Sequence, residues 1–150
     1  MNTHPVAFRM SRTVAAVTLA LACLGAASSE ILGVVVSVAS GDRLVFDTGR
    51  ERLRVTLARV TAPAGDTTVG ARSRAALTQL CYGEAATLVI TGTALDGATI
   101  GQVSCAGRDA AREQLRRGLA RLNPPYEKLD SVLGTAELEA RAEQTGIWAR

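Results

Sequence analysis

Few residues in this chain could carry chemistry. Cysteine occurs at Cys23, Cys81 and Cys105, and histidine only at His4. Two cysteines with no histidine nearby make a poor zinc site, and a nucleophilic cysteine would lack its usual base. In an exported chain, an isolated pair such as Cys81 and Cys105 is most simply a disulfide. Closing a loop of about 25 residues would then stabilise the fold by about 3 kcal/mol in the chain-entropy model. Arginine offers a second pattern. Arg108, Arg112 and Arg116 recur at four-residue spacing and would form one stripe on a helix, with Arg117 and Arg121 beside it. Such a stripe could hold a phosphate or an acidic partner; it could equally be a solvated face tied to Glu113 and other acids.

Whether these residues meet an oxidising environment depends on the N-terminus. Arg9 and Arg12 lead into an apolar run over 14–25, followed by Ala26, Ala27, Ser28 and Ser29. This is the pattern of a signal peptide, with cleavage near Ala27 or Ser28. The run is about 12 residues, whereas a helix that crosses a bilayer needs about 20. Residues 1–28 are therefore read as a leader and 29–150 as the mature domain, periplasmic or secreted, with Met10 a second candidate start. A lipid anchor through Cys23 is the weaker reading, because Ala20 stands where such signals favour leucine. Loss of the leader removes His4, Arg9 and Arg12. The formal charge of +3 then falls to about +1, fifteen basic residues against fourteen acidic. A near-neutral domain has no broad electrostatic footprint for nucleic acid.

The elements that would position these residues follow from periodicity. A β-branched run over 32–38, a turn at Ser40-Gly41-Asp42 and a strand over 43–46 make a hairpin. A third strand over 52–57 alternates polar with apolar. Pro63 and Gly65 end the sheet, and a helix is predicted over 69–80 with Gly83 as its stop. Strands over 86–91 and 100–105 flank the Asp96-Gly97 turn. Asp109 caps a second helix to about 119, and a third spans about 135–144 with Gly146 as its cap. Trp148 is expected to fold back into the core. Five strands with three helices describe an α+β domain of OB-fold type, a five-stranded barrel with packed helices.

Several strings in this order resemble the staphylococcal nuclease-like family over about 32–149. They are Ser40-Gly41-Asp42-Arg43, Val60-Thr61-Ala62-Pro63, the Asp96-Gly97 turn, the helical string from Ala111 to Ala120, Leu138-Glu139-Ala140-Arg141-Ala142, and Gly146-Ile147-Trp148-Ala149. The resemblance implies a site in which calcium and two arginines neutralise a phosphodiester while a glutamate positions water. It places the first metal ligand at Asp42, the second at Thr61, the glutamate at Ala64, and the two arginines at Thr56 and Ala98. One functional side chain of five is kept. A lone carboxylate is a poor site for calcium, which takes about six to eight oxygens. Arg43 beside Asp42 could replace the metal with an ion pair, or be a solvated turn residue. Of the tyrosines that the resemblance would use to stack bases, Tyr126 remains, while Pro124 and Asp96 occupy the other positions.

The expectation is an exported, non-catalytic binding or structural module without a cofactor. Its partner is unidentified, a protein or anionic ligand before nucleic acid. The alternative is a metal-dependent phosphodiester hydrolase rebuilt around Asp42, with Asp66 or Asp47 as further ligands, Arg54 in place of the lost arginine, and calcium as cofactor. A third class is non-enzymatic binding of an anionic polymer through the arginine stripe, which would weaken steeply with salt.

Overall fold

The computed structural model describes residues 29–124, 126 and 130–150. The leader read from the sequence therefore lies outside the described residues. Strands β1 (Glu30–Ser40), β2 (Arg43–Asp47) and β3 (Arg52–Leu57) form an antiparallel meander. Val35 and Val38 are three residues apart, so strict alternation would send them to opposite faces; both are buried. The register shift between Val35 and Ser37 inserts the extra residue that restores the inward direction. Gly33 lets β1 cross the ring of Phe46, where a Cβ would collide.

A short strand β4 (Val60–Thr61) leads to helix α1 (Thr68–Cys81). Thr67 caps α1 by accepting from Gly70 N. Strands β5 (Ala85–Thr93) and β6 (Thr99–Cys105) form the second hairpin, with β5 antiparallel to β1. Parallel pairing of β3 with β6, from Val55 opposite Thr99 to Leu57 opposite Gly101, closes the five strands into a mixed barrel. This is the α+β OB-type barrel that the sequence implies.

The rest of the chain packs helices against that barrel. After β7 (Arg108–Asp109) come helix α2 (Ala110–Arg116), strand β8 (Arg121–Leu122), helix α3 (Ser131–Ala142) and a 3-10 turn (Gly146–Trp148). Phe46, Leu44, Leu57, Leu77, Leu88, Leu115 and Leu122 are the largest apolar side chains in the sealed core. Cys81 at the end of α1 and Cys105 at the end of β6 are joined by a disulfide, and both are fully buried. Among the described residues no helix is long and apolar enough to cross a membrane.

Several boundaries differ from the sequence reading. Helix α2 ends at Arg116 rather than near 119, because Gly118 turns left-handed at φ +64°. Gly118 N then donates to Leu115 O and Leu119 N to Gln114 O, closing the C-terminal carbonyls. Helix α3 begins four residues earlier than predicted, since Asp130 Oδ1 accepts from Val132 N and Leu133 N and so caps a start that Gly134 obscures. Its left-handed stop is Gln144 at φ +53°, not Gly146. Gly146 serves a close approach instead: a Cβ there would collide with the carbonyl of Gly118. Trp148 is half-buried rather than core, with the guanidinium carbons of Arg121 and Arg141 at 5.0 and 4.3 Å from the centre of its ring.

Candidate functional site

At one end of the barrel the β1–β2 turn, the β3–β4 segment, the β5–β6 hairpin and the chain after β8 surround a cleft of about 600 Å³. Asp42, Thr56 and Thr61 all line it, so three positions singled out from the sequence are brought together. Asp42 is 9% exposed. Its Oδ1 accepts from Ser40 Oγ at 2.6 Å and its Oδ2 from Ala62 N at 3.1 Å. The Thr61 hydroxyl donates to Asn123 Oδ1 at 2.6 Å. Thr56 lies opposite Arg43 on one side and Ile100 on the other, in the seam where the barrel closes.

Ala98 is buried beside this cleft, in a neighbouring hollow of about 220 Å³ that it shares with Arg43, Arg54 and Thr56. Ala64 is not part of the cleft lining; its carbonyl accepts from Thr67 N and Thr67 Oγ1 and helps start α1. Among the described residues Arg43 forms no ion pair with Asp42 or with any other acid.

The other carboxylates considered for a rebuilt site stay apart. Asp47 stands at the far end of β2, pairs with Arg52 at 3.1 Å and accepts from Gly49 N. The Gly49 N–H and the Arg52 side chain hold its carboxyl below the ordinary range. Asp66 is exposed in the loop before α1, away from the cleft. Arg54 Nη2 donates to Asp96 O at 3.0 Å and so braces the hairpin. Among the described residues no three His, Cys, Asp or Glu side chains group together. The cleft lining offers two carboxylates, Asp42 and Asp96, with the neutral oxygens of Thr56, Thr61 and Asn123, which is fewer anionic ligands than calcium usually gathers.

Of the predicted stripe, Arg112 and Arg116 lie on α2, but Arg108 precedes the helix on β7. Arg116 and Arg117 both approach Glu113, at 3.4 and 3.8 Å, on an exposed face where such pairs contribute little.

Arg59 was not anticipated. At φ +71° it turns the chain between β3 and β4, and its Nη1 donates to Asp130 Oδ2 at 2.6 Å. Its guanidinium carbon sits 5.6 Å from the centre of the Tyr126 ring. The Leu133 N–H first, and Arg59 after it, hold the Asp130 carboxyl below its ordinary value. A partner 71 residues away leaves no local signal in the sequence.

A family model described as staphylococcal nuclease homologue matches residues 54–150. The chain belongs to this family. The match spans Thr56, Thr61, Ala64 and Ala98, while Asp42 lies before it. Among curated proteins, none matches the chain. The mouth of this barrel holds two threonines, an asparagine, two aspartates that each accept hydrogen bonds, Asp42 and Asp96, and arginines at Arg43 and Arg59.

Proposed function

We propose that the protein is an exported, non-catalytic staphylococcal nuclease homologue, a binding or structural module that works without a metal ion. One observation carries the reading. The two positions at which the family resemblance expects phosphate-neutralising arginines hold Thr56, whose side chain is neutral, and Ala98, which presents only a buried methyl. Of the arginines near these positions, Arg54, the substitute considered from the sequence, is committed to the hairpin carbonyl of Asp96, and Arg43 stands opposite Thr56 on the neighbouring strand. A charge that develops on phosphorus would find no preorganised cation at those positions, and the loss of one such stabilising group commonly costs about 100- to 1000-fold in rate.

Export rests on the leader pattern of residues 1–28, with 29–150 as the mature domain. The buried Cys81–Cys105 bond supports it, since such bonds persist in oxidising compartments. The partner is a protein or an anionic ligand; the cleft, with Tyr126 as an exposed aromatic surface, is the site most suited to receive it.

The test is incubation of the purified protein with denatured and duplex DNA in calcium, magnesium, manganese or EDTA, alongside Asp42→Ala. The expected result is no cleavage above the variant in any buffer. Metal-dependent cleavage that Asp42→Ala abolishes would sink the proposal.

A further inference from the structure

The turn that carries Asp42 is fastened from every side. Its carboxylate takes the Ser40 hydroxyl at 2.6 Å and the Ala62 amide at 3.1 Å, tying the β1–β2 turn to the segment after β4. Its backbone carbonyl accepts from Leu57 N at 2.8 Å. Behind it, Gln114 Nε2 donates to Gly41 O at 2.6 Å and to Ser73 O at 2.9 Å, and a Cβ on Gly41 would collide with Ser73. Across the cleft, Thr61 is joined to Asn123, which ties β4 to the chain after β8.

From this we infer that Asp42 is a positioning residue in a cation-independent clamp. The charge-assisted bonds from Ser40 and Ala62, together with the Thr61–Asn123 bond, hold the mouth of the cleft in the place where the family resemblance expects calcium. The chemistry favours the bonds over the ion. A backbone N–H is a donor and cannot ligate a cation, so the half-buried Ala62 amide occupies one side of Asp42 Oδ2, and a metal there would have to share the carboxylate's remaining lone pairs with a donor that repels it. The negative charge that strengthens the two hydrogen bonds would then be shared with the ion, and among the described residues no three His, Cys, Asp or Glu side chains group together to complete its shell.

The inference concerns the same mouth as the proposed function, but it is read by melting rather than by cleavage. A protein that cleaves nothing yet is stabilised by calcium would overturn the clamp and leave the loss of nuclease activity standing. Thermal melts of the purified protein in EDTA, calcium and manganese should coincide to within about 1 °C, whereas an ion bound at a hundred times its Kd would raise the melting temperature by several degrees.

Asp42→Ala should melt about 5–10 °C lower. Asp42→Asn should recover most of that loss: the Ser40 hydroxyl can reverse and accept from the new amide, whose oxygen still accepts from Ala62. Ser40→Ala, which removes one bond, should fall between wild type and Asp42→Ala, and it carries the test if Asp42→Ala does not fold. Calcium-dependent stabilisation lost equally in Asp42→Ala and Asp42→Asn would overturn the clamp, as would a Ser40→Ala protein that melts with the wild type.

Discussion

Replacement of Gln114 by leucine should loosen the mouth of the cleft from behind without touching it. Gln114 is 1% exposed, and its side-chain amide is the donor that reaches Gly41 O from α2. It also reaches Ser73 O and Ser73 Oγ, but the Ser73 carbonyl keeps its own bond within α1, so the cost falls mainly on Gly41. Leucine fills a similar volume and leaves that buried carbonyl without a donor, a penalty of about 1–3 kcal/mol. For a domain of this size the midpoint should fall by roughly 4–12 °C. Thermal melting gives the magnitude. Amide hydrogen exchange locates it, since protection at Ala62 N, bonded to Asp42, should drop more than protection in the β5–β6 hairpin. Arg112→Ala, an exposed change on the same helix, should stay within about 0.5 kcal/mol. A Gln114→Leu protein no less stable than Arg112→Ala, with Ala62 protection unchanged, would refute the reasoning.

Other consequences are equally direct. Gly146→Ala should cost well above 2 kcal/mol, because left-handed strain of about 1–2 kcal/mol is joined by collision with the Gly118 carbonyl; Gly49→Ala, left-handed at φ +80° in open space, should cost the strain alone, and chemical denaturation of the two separates the contributions. Cys81→Ser with Cys105→Ser should lower stability by about 3 kcal/mol, and reductant should then leave the variant's melting temperature unchanged while lowering that of the wild type. Asp130 is held below its ordinary value of 3.8, so its contribution is complete above that pH and is lost as pH falls through the lower folded value. Acid melts should therefore show the wild type losing stability more steeply than Asp130→Asn below about pH 4.

The barrel was legible because its strands carry their own periodicity and its turns their own glycines. Arg52–Leu57 alternates cleanly, and the Asp96-Gly97 turn fixes a hairpin by local chemistry alone. The site positions were legible from strings such as Val60-Thr61-Ala62-Pro63, which place residues in order along the chain. What the strings could not convey is which groups those residues bond. The tie between Asp42 and Ala62 spans twenty residues, that of Arg59 to Asp130 spans seventy-one, and the paired β4 and β8 are only two residues long each. Trp148 was misplaced for a related reason. Its place in the terminal string Gly146-Ile147-Trp148-Ala149 suggested burial, yet two arginines from separate elements stack on its ring, and guanidinium stacking leaves no periodic trace.

The most direct measurement on the account as a whole is a time course of cleavage of a fluorophore-quencher single-stranded DNA by the purified protein, with calcium and with EDTA. The expected trace is flat in both, superimposable on Asp42→Ala. A calcium-dependent rise that Asp42→Ala removes would show that the family's chemistry survives in a rebuilt form, and would contradict the account.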